Sequence, residues 1–572
     1  MGKGARNRKR REQERERLAA RSGSGGGLFG LQPQGGPFGA APPWKPPRTP
    51  EEAIAQLRQF MESMPRLIVC GRLGLKPLTE TQRRELLAGA DLYDAVGTVA
   101  RLQGRWDVAF TTTQRPDIIE AEFLAVGSGD ACKRARKRVT QHHDLLVSPR
   151  RLLNAELPGG AQIEVGGQWV GPTQHQVLAL IDELGLKTYP SHATGRHIAE
   201  VCGKRSDYTG RIPRLNPIAL ADIGQTQWRL DRLARRVART EPWLAAQARS
   251  LDGQTFETWL RRTARTRQGR VVFRLITEAV FSAGPEDLSA LWAGFYVGAA
   301  GGVDALINVI GGAQQDRIVG GAQGIALAMA RELGDRVVLN RPVTEIGWGD
   351  AGVVVQAGGS TVRARRAVIA VPPPLTARIR FSPGLPGDRD QLVQRMPMGR
   401  VIKINVAYDE PFWRADGWSG QANSDARPLG TVFDNNPQTG GPGGLVGFLE
   451  GRHADAGARL DPAERRARVL EDLAGYFGAR ARNPIDYIER DWAEEEYSRG
   501  CYGAFTTPGT LTRFGPALRH PIGPPHWAGT ETATRWAGYI DGAIQSGHRV
   551  ADEVSADLHI LRAHRGLPGA LA

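Results

Sequence analysis

The chain has 572 residues, of which 41% are hydrophobic and 24% charged, and it carries a net charge of +15. This length and balance are typical of a globular protein of two or three domains with a sizeable core. No uninterrupted apolar run approaches the roughly 20 residues that a membrane-spanning helix requires, so we expect no membrane anchor.

The positive charge is concentrated in two segments. Residues 1–21 carry nine basic residues against three glutamates, and residues 132–151 carry seven basic residues against one aspartate. These segments supply twelve of the fifteen net charges, so the rest of the chain is nearly neutral. The charge therefore does not mark the whole chain as a nucleic-acid-binding protein.

The cysteines are too few and too scattered for a disulfide framework or a zinc site. They are Cys70, Cys132, Cys202 and Cys501. This usage indicates a reducing compartment, and we expect a cytoplasmic protein.

The N-terminal part is predicted to contain a tail and a small module. Residues 1–50 are basic at the start and then rich in Gly and Pro, which predicts a disordered tail. Residues 51–120 show helical spacing, as in EEAIAQLRQFMESM, and predict a small helical module of unknown role. For the tail, contact with nucleic acid is the alternative to a floppy extension, although no aromatic residues interleave its charges.

From residue 156 to residue 560 short apolar runs alternate with helical stretches. In residues 336–374, VVL, PVTEI, VVVQA, TVRA and AVIAV predict several short strands, of which the last is continuous and therefore buried. Residues 218–310 are predicted to be mostly helical, including QWRLDRLARRVARTEPWLAAQARSL and LSALWAGFYVGAAGG. The pattern indicates an α/β protein in which a nucleotide-binding sheet domain is interleaved with a second domain containing helices, before a tail at 561–572.

A helix is predicted to begin beside Gly538. Its apolar and small residues fall on one face; they are Ile540, Ala543, Ile544, Gly547, Val550, Ala551 and Val554. A helix N-terminus at a Gly-containing turn offers free N–H groups and a partial positive charge, which suit an electron-rich ligand. An ordinary packed C-terminal helix is the alternative.

Two residues interrupt their local patterns. Lys403 lies inside the apolar strand VIKINVAY, where alternation predicts that Ile402 and Ile404 face one way and Lys403 the other. A solvent-facing lysine is the alternative. Cys501 lies in a polar, Gly-flanked stretch where a buried core cysteine would be unexpected, and the neighbouring Arg499 could favour its thiolate.

Five blocks in order along the chain resemble the flavin-containing monoamine oxidase family. They read EVGGQWVGPTQHQVLALIDELGL (164–186), RIVGGAQGIALAMARELG (317–334), PMGRVIKINVAYDEPFWR (397–414), YSRGCYGAFTTPG (497–509) and AGTETATRWAGYIDGAIQSGHRVADEV (528–554). The resemblance implies a FAD-binding, doubly wound (Rossmann-like) domain with an atypical N-terminal part, interleaved with an α+β substrate domain. It also implies that a small-molecule amine is oxidised to an imine, which becomes an aldehyde, while dioxygen is reduced to hydrogen peroxide. No metal is expected. A homodimer is one possible oligomeric state.

The resemblance assigns roles to single residues. Cys501 matches the cysteine that forms a thioether with FAD, and Lys403 matches the lysine that holds a water against flavin N5. Tyr502 and Tyr539 match the aromatic pair that flanks the substrate amine in front of the flavin, and their negative π faces suit an amine. Phe448 matches an aromatic residue of the substrate cavity.

Further cofactor-binding residues are implied in the same way. Val343 matches a residue whose backbone touches the adenine, and Glu531 matches an acid near the flavin. Thr530, Gly538 and Ile540 complete the expected cofactor contacts.

The front end, residues 121–155, departs from the family pattern of a strand, a G-x-G-x-x-G turn and a helix. The closest candidate is the strand Phe123–Val126 followed by GSGDAC, in which Cys132 replaces the third glycine and Asp130 adds negative charge towards a pyrophosphate. The stretch that follows, LLVSPRRLLNAEL, offers no acid at the end of its expected strand, where the family has the acid that binds the adenosine ribose.

Two interpretations of this departure stay open. Residues before about Leu152 are a replaced or frame-altered front end, or the basic residues Arg134 to Arg138 contact the pyrophosphate directly. The departure also motivates an alternative function, in which the chain is an inactive flavoprotein remnant or a binding module.

Overall fold

The structure is a computed structural model. It describes the backbone of residues 118–127, 143–147, 151–157, 162–438 and 441–566, and the side chains of residues 151–157, 162–438 and 441–558. The predicted basic tail, nearly all of the predicted helical module, and residues Arg134 to Arg138 lie outside these ranges.

The described residues form strands and helices in alternation. The strands are β1 (Ile118–Gly127), β2 (His143–Val147), β3 (Asn154–Glu156), β4 (Gln162–Glu164), β5 (Trp169–Val170), β6 (Thr188–Pro190), β7 (Arg196–Val201), β8 (Lys204–Tyr208), β9 (Asp316–Ile318), β10 (Val337–Val338), β11 (Val343–Gly349), β12 (Gly352–Ala357), β13 (Ser360–Ala370), β14 (Arg380–Ser382), β15 (Val401–Tyr408), β16 (Trp418–Ser424), β17 (Thr431–Asp434), β18 (Gly443–Glu450), β19 (Asp486–Asp491) and β20 (Pro525–Trp527). The α-helices are α1 (His175–Glu183), α2 (Pro217–Arg236), α3 (Ala248–Asp252), α4 (Phe256–Thr263), α5 (Arg267–Phe281), α6 (Ala290–Ala300), α7 (Val303–Ile307), α8 (Gln323–Leu333), α9 (Gly387–Gln394), α10 (Phe412–Ala415), α11 (Arg452–Ala458), α12 (Pro462–Phe477), α13 (Leu511–Phe514) and α14 (Ile540–Gly566).

The first large sheet has the order β10-β2-β1-β13-β12-β11-β14, and β20 also pairs with β13. Strands β10, β2, β1, β13 and β20 pair in parallel, whereas β12 runs antiparallel to β13 and β11. Val368 and Ala370 pack with helix α14, while Ala367 and Ile369 pack into a second cluster. Strand β13 is thus covered on both faces, which confirms the predicted buried run AVIAV.

The predicted separation of TVRA from AVIAV is wrong, because both belong to the single strand β13. The charged residues between them do not end the strand. Arg366 instead forms an ion pair with Asp557 of helix α14, at 3.2 Å between Nε and Oδ2. Because the charge of Arg366 is paired with Asp557, this residue is accommodated within the strand.

The strand predicted in the front end is present. Residues Phe123 to Val126 lie within β1, which pairs in parallel with both β13 and β2. Of the candidate glycine turn GSGDAC, Gly127 ends β1, and residues 128–132 lie outside the described residues. A parallel β1–β2 pair beside β13 is the arrangement that a doubly wound nucleotide-binding sheet requires.

The second large sheet has the order β19-β15-β18-β17-β16-β7-β8. Strand β15 lies between β18 and β19 and pairs antiparallel with both, with Lys403 opposite Phe448. One face of this sheet packs against helix α12 through Ile402, Ile404 and Leu449. Because successive side chains alternate between faces, Lys403 and Phe448 lie on the opposite face.

Residues 218–310 are mostly helical, as predicted, and surround the buried helix α6. The stretch QWRLDRLARRVARTEPWLAAQARSL is not one helix, however. Helix α2 ends at Arg236, Val237 is extended, and Pro242 begins a 3-10 turn before α3. Pro242, which has no N–H to donate, stands in the first turn of the 3-10 helix, where that N–H is not needed.

The C-terminal helix α14 begins at Ile540, directly after the Gly538 turn, as predicted. The predicted apolar face is the packed one: Ile544, Val550, Ala551 and Val554 are buried. In the part of the chain with described coordinates, no helix is long and apolar enough to span a membrane.

We predict that Ile404→Ala destabilises the protein by about 2–5 kcal/mol, because it leaves a cavity between the second sheet and helix α12. The matched control, Ile218→Ala, removes a side chain that is 72% exposed and should change stability by at most about 0.5 kcal/mol. Chemical unfolding of both variants measures this difference. Equal stability losses would contradict the assignment of Ile404 to the core.

Candidate active site

A cavity of about 730 Å³ lies among the second large sheet, the helical region and the segment that leads into helix α14. Strands β15, β17 and β18 line it with alternate residues, because directly opposed residues of paired strands share a face. Those residues are Val401, Lys403, Thr431, Phe433, Phe448 and Glu450. The face of the second sheet opposite helix α12 therefore forms the cavity wall.

Lys403 is buried on this wall, with only 3% of its surface exposed. Its ammonium donates to the carbonyl of Gly166 at 2.7 Å and to Oε1 of Gln168. It also lies 5.7 Å from the ring centres of Trp169 and Phe448. Burial lowers the pKa of Lys403 to about 7. The alternation predicted for this strand is confirmed, and the solvent-facing alternative is wrong.

A buried polar network lies behind Lys403. Glu164 and Arg317 form an ion pair in which neither side chain is more than 2% exposed. Gln168 donates to Asn435 at 3.0 Å, and Asn435 donates to Asn405 at 2.8 Å. These residues were not predicted from the sequence. The signal for them was weak, namely polar residues inside otherwise apolar strand patterns.

Tyr502 and Tyr539 both line the cavity, together with Phe448. The ring of Tyr502 lies 6.3 Å from that of Phe448, and its hydroxyl donates to Oε1 of Glu450 at 2.9 Å. Tyr539 is held by an edge-to-face contact with Trp536, at 4.9 Å between ring centres. The structure thus brings the predicted aromatic residues into one space.

Cys501 also lines the cavity, and it is 93% buried rather than exposed in a polar stretch as expected. Burial raises the pKa of its thiol to about 12, and the charges of Arg151 and Lys403 oppose this rise. Arg499 was expected to favour the thiolate, but its guanidinium instead donates to the carbonyl of Ala493 at 3.4 Å. The stretch is buried because Cys501 packs with Trp492 and Phe448.

The other end of the cavity is formed by the segment after β20. Thr530, Gly538 and Ile540 line it, and Thr530 donates to the carbonyl of Tyr539 at 2.8 Å. Gly538 has φ of +86°, and a Cβ there would collide with the hydroxyl of Tyr296. This close approach explains why a glycine stands at the turn before helix α14.

Glu531 is buried beside this end of the cavity. One carboxylate oxygen accepts from the backbone N–H of Ala504 at 3.2 Å and from Arg151 at 3.3 Å. The second oxygen is buried and has no hydrogen-bond partner among the described residues. Arg151, which the sequence analysis counted only as part of a basic stretch, is thus a further residue of the site.

Val343 is a predicted site residue that lies away from the cavity wall. It starts strand β11 in the first sheet and pairs with Ala357 of β12. The remaining candidates either line the cavity or, in the case of Glu531, pack directly behind it.

The described chain is similar to known flavin enzymes. Residues 151–555 match a family described as flavin containing amine oxidoreductase. A relative from Mycobacterium tuberculosis, named as a flavin-containing monoamine oxidase, is 42% identical over 76% of this chain and 96% of its own length. The flavin-containing amine oxidase A of Canis lupus familiaris is 34% identical over 76% of this chain and 84% of its own.

Two solved structures have the same fold. Putrescine oxidase bound to putrescine has a TM-score of 0.74 and 33% identity, covering 77% of this chain and all of that one. Cyclohexylamine oxidase from Brevibacterium oxydans has a TM-score of 0.74 and 30% identity, covering 77% of this chain and 99% of that one. The predicted fold class is confirmed.

We predict that the stability of the protein depends on the proton of Glu450. Burial raises the pKa of Glu450 from 4.5 to about 8, so the folded protein keeps a proton that the unfolded chain releases. Stability therefore falls as pH rises from 4.5 to about 8. Glu450→Gln removes this contribution, and its melting temperature relative to the wild type should rise across that window. A difference that is independent of pH would contradict the assignment.

Proposed function

The chain belongs to the family of flavin-containing amine oxidoreductases, and from this premise we propose that it oxidises a primary or secondary amine to an imine, which water converts to an aldehyde. We further propose that dioxygen is the electron acceptor and that hydrogen peroxide is the second product. The observation that carries the proposal is the single cavity that gathers Lys403, Cys501, Tyr502 and Tyr539.

The residues at one end of the cavity fit FAD. The cavity reaches the segment beyond the carboxyl end of β20, where doubly wound sheets bind nucleotide cofactors. Gly538 lets the chain pass close to its neighbours, and the unpartnered oxygen of Glu531 can accept a hydrogen bond from a ligand. We propose that Thr530, Gly538, Ile540, Glu531 and Arg151 hold the cofactor.

We also propose that Val343 contacts the adenine through its backbone, outside the cavity that the isoalloxazine ring would occupy. When bound, FAD supplies a hydride acceptor for the α carbon of the amine and passes the electrons to dioxygen.

The protein binds and orients the amine. We propose that the neutral amine lies between Tyr502 and Tyr539, whose π faces attract its partially positive hydrogens. Phe448 and Phe433 line the same wall and keep water away from the reacting carbon. Lys403 directs its buried nitrogen into this space, where it can hold a water for the reaction with dioxygen.

We propose that Cys501 holds the flavin covalently through its sulfur. Its side chain lies on the cavity wall together with Lys403 and Tyr502. Burial raises the pKa of the Cys501 thiol, and the nearby charges of Arg151 and Lys403 act in the opposite direction, towards the thiolate that attachment needs. Among the solved relatives is a putrescine oxidase variant, described as a redesign of cofactor binding, that replaces an alanine with cysteine.

The division of the chain follows from this proposal. Residues 156–560 form the amine oxidase body, and residues 121–155 form the front end of its nucleotide-binding sheet. The presence of β1 and β2 in that sheet supports cofactor binding despite the altered glycine turn. A purified chain that binds no flavin would instead favour the inactive remnant.

We predict that flavin stays with the protein pellet after acid precipitation and that Cys501→Ala releases it into the supernatant. The physical reason is that a thioether survives denaturation, whereas non-covalent contacts do not. Visible absorbance of both fractions measures the result. Cys202→Ala is the matched control, because Cys202 is the other free cysteine in the described part of the chain and lies outside the cavity.

We predict that Lys403→Met slows the reaction of the reduced enzyme with dioxygen by about 100-fold, because the residue no longer positions a proton donor. Stopped-flow measurement of the two half-reactions separates this step from amine oxidation. Lys204→Met, at an exposed position on β8, is the control. An equal loss in both half-reactions would show that Lys403 serves only to maintain the cavity.

A further inference from the structure

The cavity wall continues across the second sheet, well beyond Lys403. One residue from each of five paired strands lies opposite the next, and all five line the cavity: Lys403 on β15, Phe448 on β18, Thr431 on β17, Asn423 on β16 and Ala199 on β7. Neighbouring strands lie about 4.8 Å apart, so this row is about 19 Å long. The wall is therefore long enough to hold more of a substrate than its reacting amine.

The two ends of this row differ in polarity. At the near end, the ring of Phe448 lies 6.3 Å from that of Tyr502, which is proposed to face the amine. The far end is formed by Gln421 and Asn423 of β16 and by His197 of β7, which all line the cavity. Strands β16 and β7 are the second and third strands beyond β18, which places them about 10 and 14 Å from it.

The far end offers no acid to a cationic group. Glu450, the one acid among the described residues that line the cavity, lies on β18 at the near end. Glu200 of β7 does not line the cavity and pairs with Arg427 at 2.9 Å. Arg211 does line the cavity, but it pairs with Asp304 at 3.0 Å, and both side chains are more than half exposed.

The ring of His197 is neutral and provides a hydrogen-bond acceptor. Burial lowers the pKa of His197 below its usual value, so the ring is uncharged at neutral pH. Its Nδ1 lies 2.7 Å from the hydroxyl of Ser419, which donates its one proton to the carbonyl of Arg196 and accepts from the N–H of Gln421. Nδ1 therefore carries the proton. Nε2, which has no hydrogen-bond partner among the described residues, is left as an acceptor.

The side-chain amides of Gln421 and Asn423 have the same unused capacity. Both side chains are half-buried, because they alternate along β16 with the buried Gly420, Ala422 and Ser424. Neither amide makes a hydrogen bond to another side chain or to the backbone in the described part of the chain. Each amide offers both a donor and an acceptor, and a few such groups on a largely apolar wall fix the orientation of a ligand.

We infer that the far end binds an uncharged hydrogen-bonding group at the distal end of the substrate, and that a carboxamide fits it. The N–H of a carboxamide can donate to Nε2 of His197, and its oxygen can accept from the amide of Asn423 or Gln421. The inference rests on the proposed amine oxidation and names its substrate class: amines that carry a neutral polar group about 10–14 Å from the reacting nitrogen.

Two other roles for the far end predict different substrate preferences. If the polar side chains only hold water in an open passage, the chemistry of the substrate tail has no effect on the rate. If the far end takes a charged tail, an ammonium group is favoured over a carboxamide. Substrates that differ only in their tail therefore distinguish the three roles.

The experiment compares kcat/KM for an ω-aminoalkanamide, an n-alkylamine and an α,ω-diaminoalkane of the same chain length. The wild type is expected to prefer the carboxamide over both others. Glycinamide is the short control, because its amide cannot reach β16 while its amine reacts, and it should gain nothing over ethylamine. A wild type that prefers the alkyl or the ammonium tail, or that does not distinguish the tails, would overturn the inference.

Substitutions at the far end locate the preference. Asn423→Leu keeps the size of the side chain but removes its amide, so it should lower the ratio of carboxamide to alkylamine by about 3- to 10-fold. Asn483→Leu, at an exposed position that does not line the cavity, is the matched control and should leave the ratio unchanged. His197→Phe keeps a ring beside Tyr208 but removes the acceptor, and it should lower the ratio in the same way. A ratio that neither Asn423→Leu nor His197→Phe lowers would overturn the inference.

A binding measurement separates this inference from the proposed function. Without oxygen, the ω-aminoalkanamide should raise the melting temperature of the purified holoenzyme more than the n-alkylamine does, and Asn423→Leu should reduce that difference. If no amine is oxidised, the proposed function fails, and these shifts alone decide what the far end binds. If Asn423→Leu does not fold, the shifts of the wild type and of His197→Phe decide, and equal shifts with both ligands in the wild type would overturn the inference.

Discussion

The alternation of side chains along the second sheet places apolar residues against helix α12 and the residues of the cavity wall on the opposite face. In β15, Ile402 and Ile404 pack against helix α12, so Lys403 between them must face the cavity. The same alternation in β18 places Phe448 and Glu450 beside it. A shift of one residue in a strand would turn its charged residue, Lys403 in β15 or Glu450 in β18, towards helix α12. The register of β15 with β18 therefore also fixes which residues line the cavity.

Buried charge is the cost of this arrangement. Lys403, Glu450 and the Glu164–Arg317 pair are all almost fully removed from solvent. Each is balanced differently: Lys403 by two acceptors, Arg317 by an ion pair, and Glu450, among the described residues, by two hydroxyl groups. Buried charged groups contribute less to stability than well-packed apolar residues of similar volume would. They are retained where their chemistry is needed.

Local patterns in the sequence predicted much of this fold. The strand VIKINVAY, the buried run AVIAV and the start of helix α14 at Ile540 follow from alternation, apolar continuity and a Gly turn. The contacts of the site were not predictable in this way. Gln168, which accepts from Lys403, is 235 positions away in sequence, and Glu450 is 52 positions from Tyr502. The burial of Cys501 likewise depends on packing between distant segments.

The most direct test of the account is to add an amine to the purified enzyme without oxygen and to follow the visible absorbance of the oxidised flavin. The account predicts that the absorbance bleaches at a rate that depends on amine concentration, and that air restores it with formation of hydrogen peroxide. A chain that binds flavin which no amine bleaches, or that binds no flavin at all, would contradict the central claim.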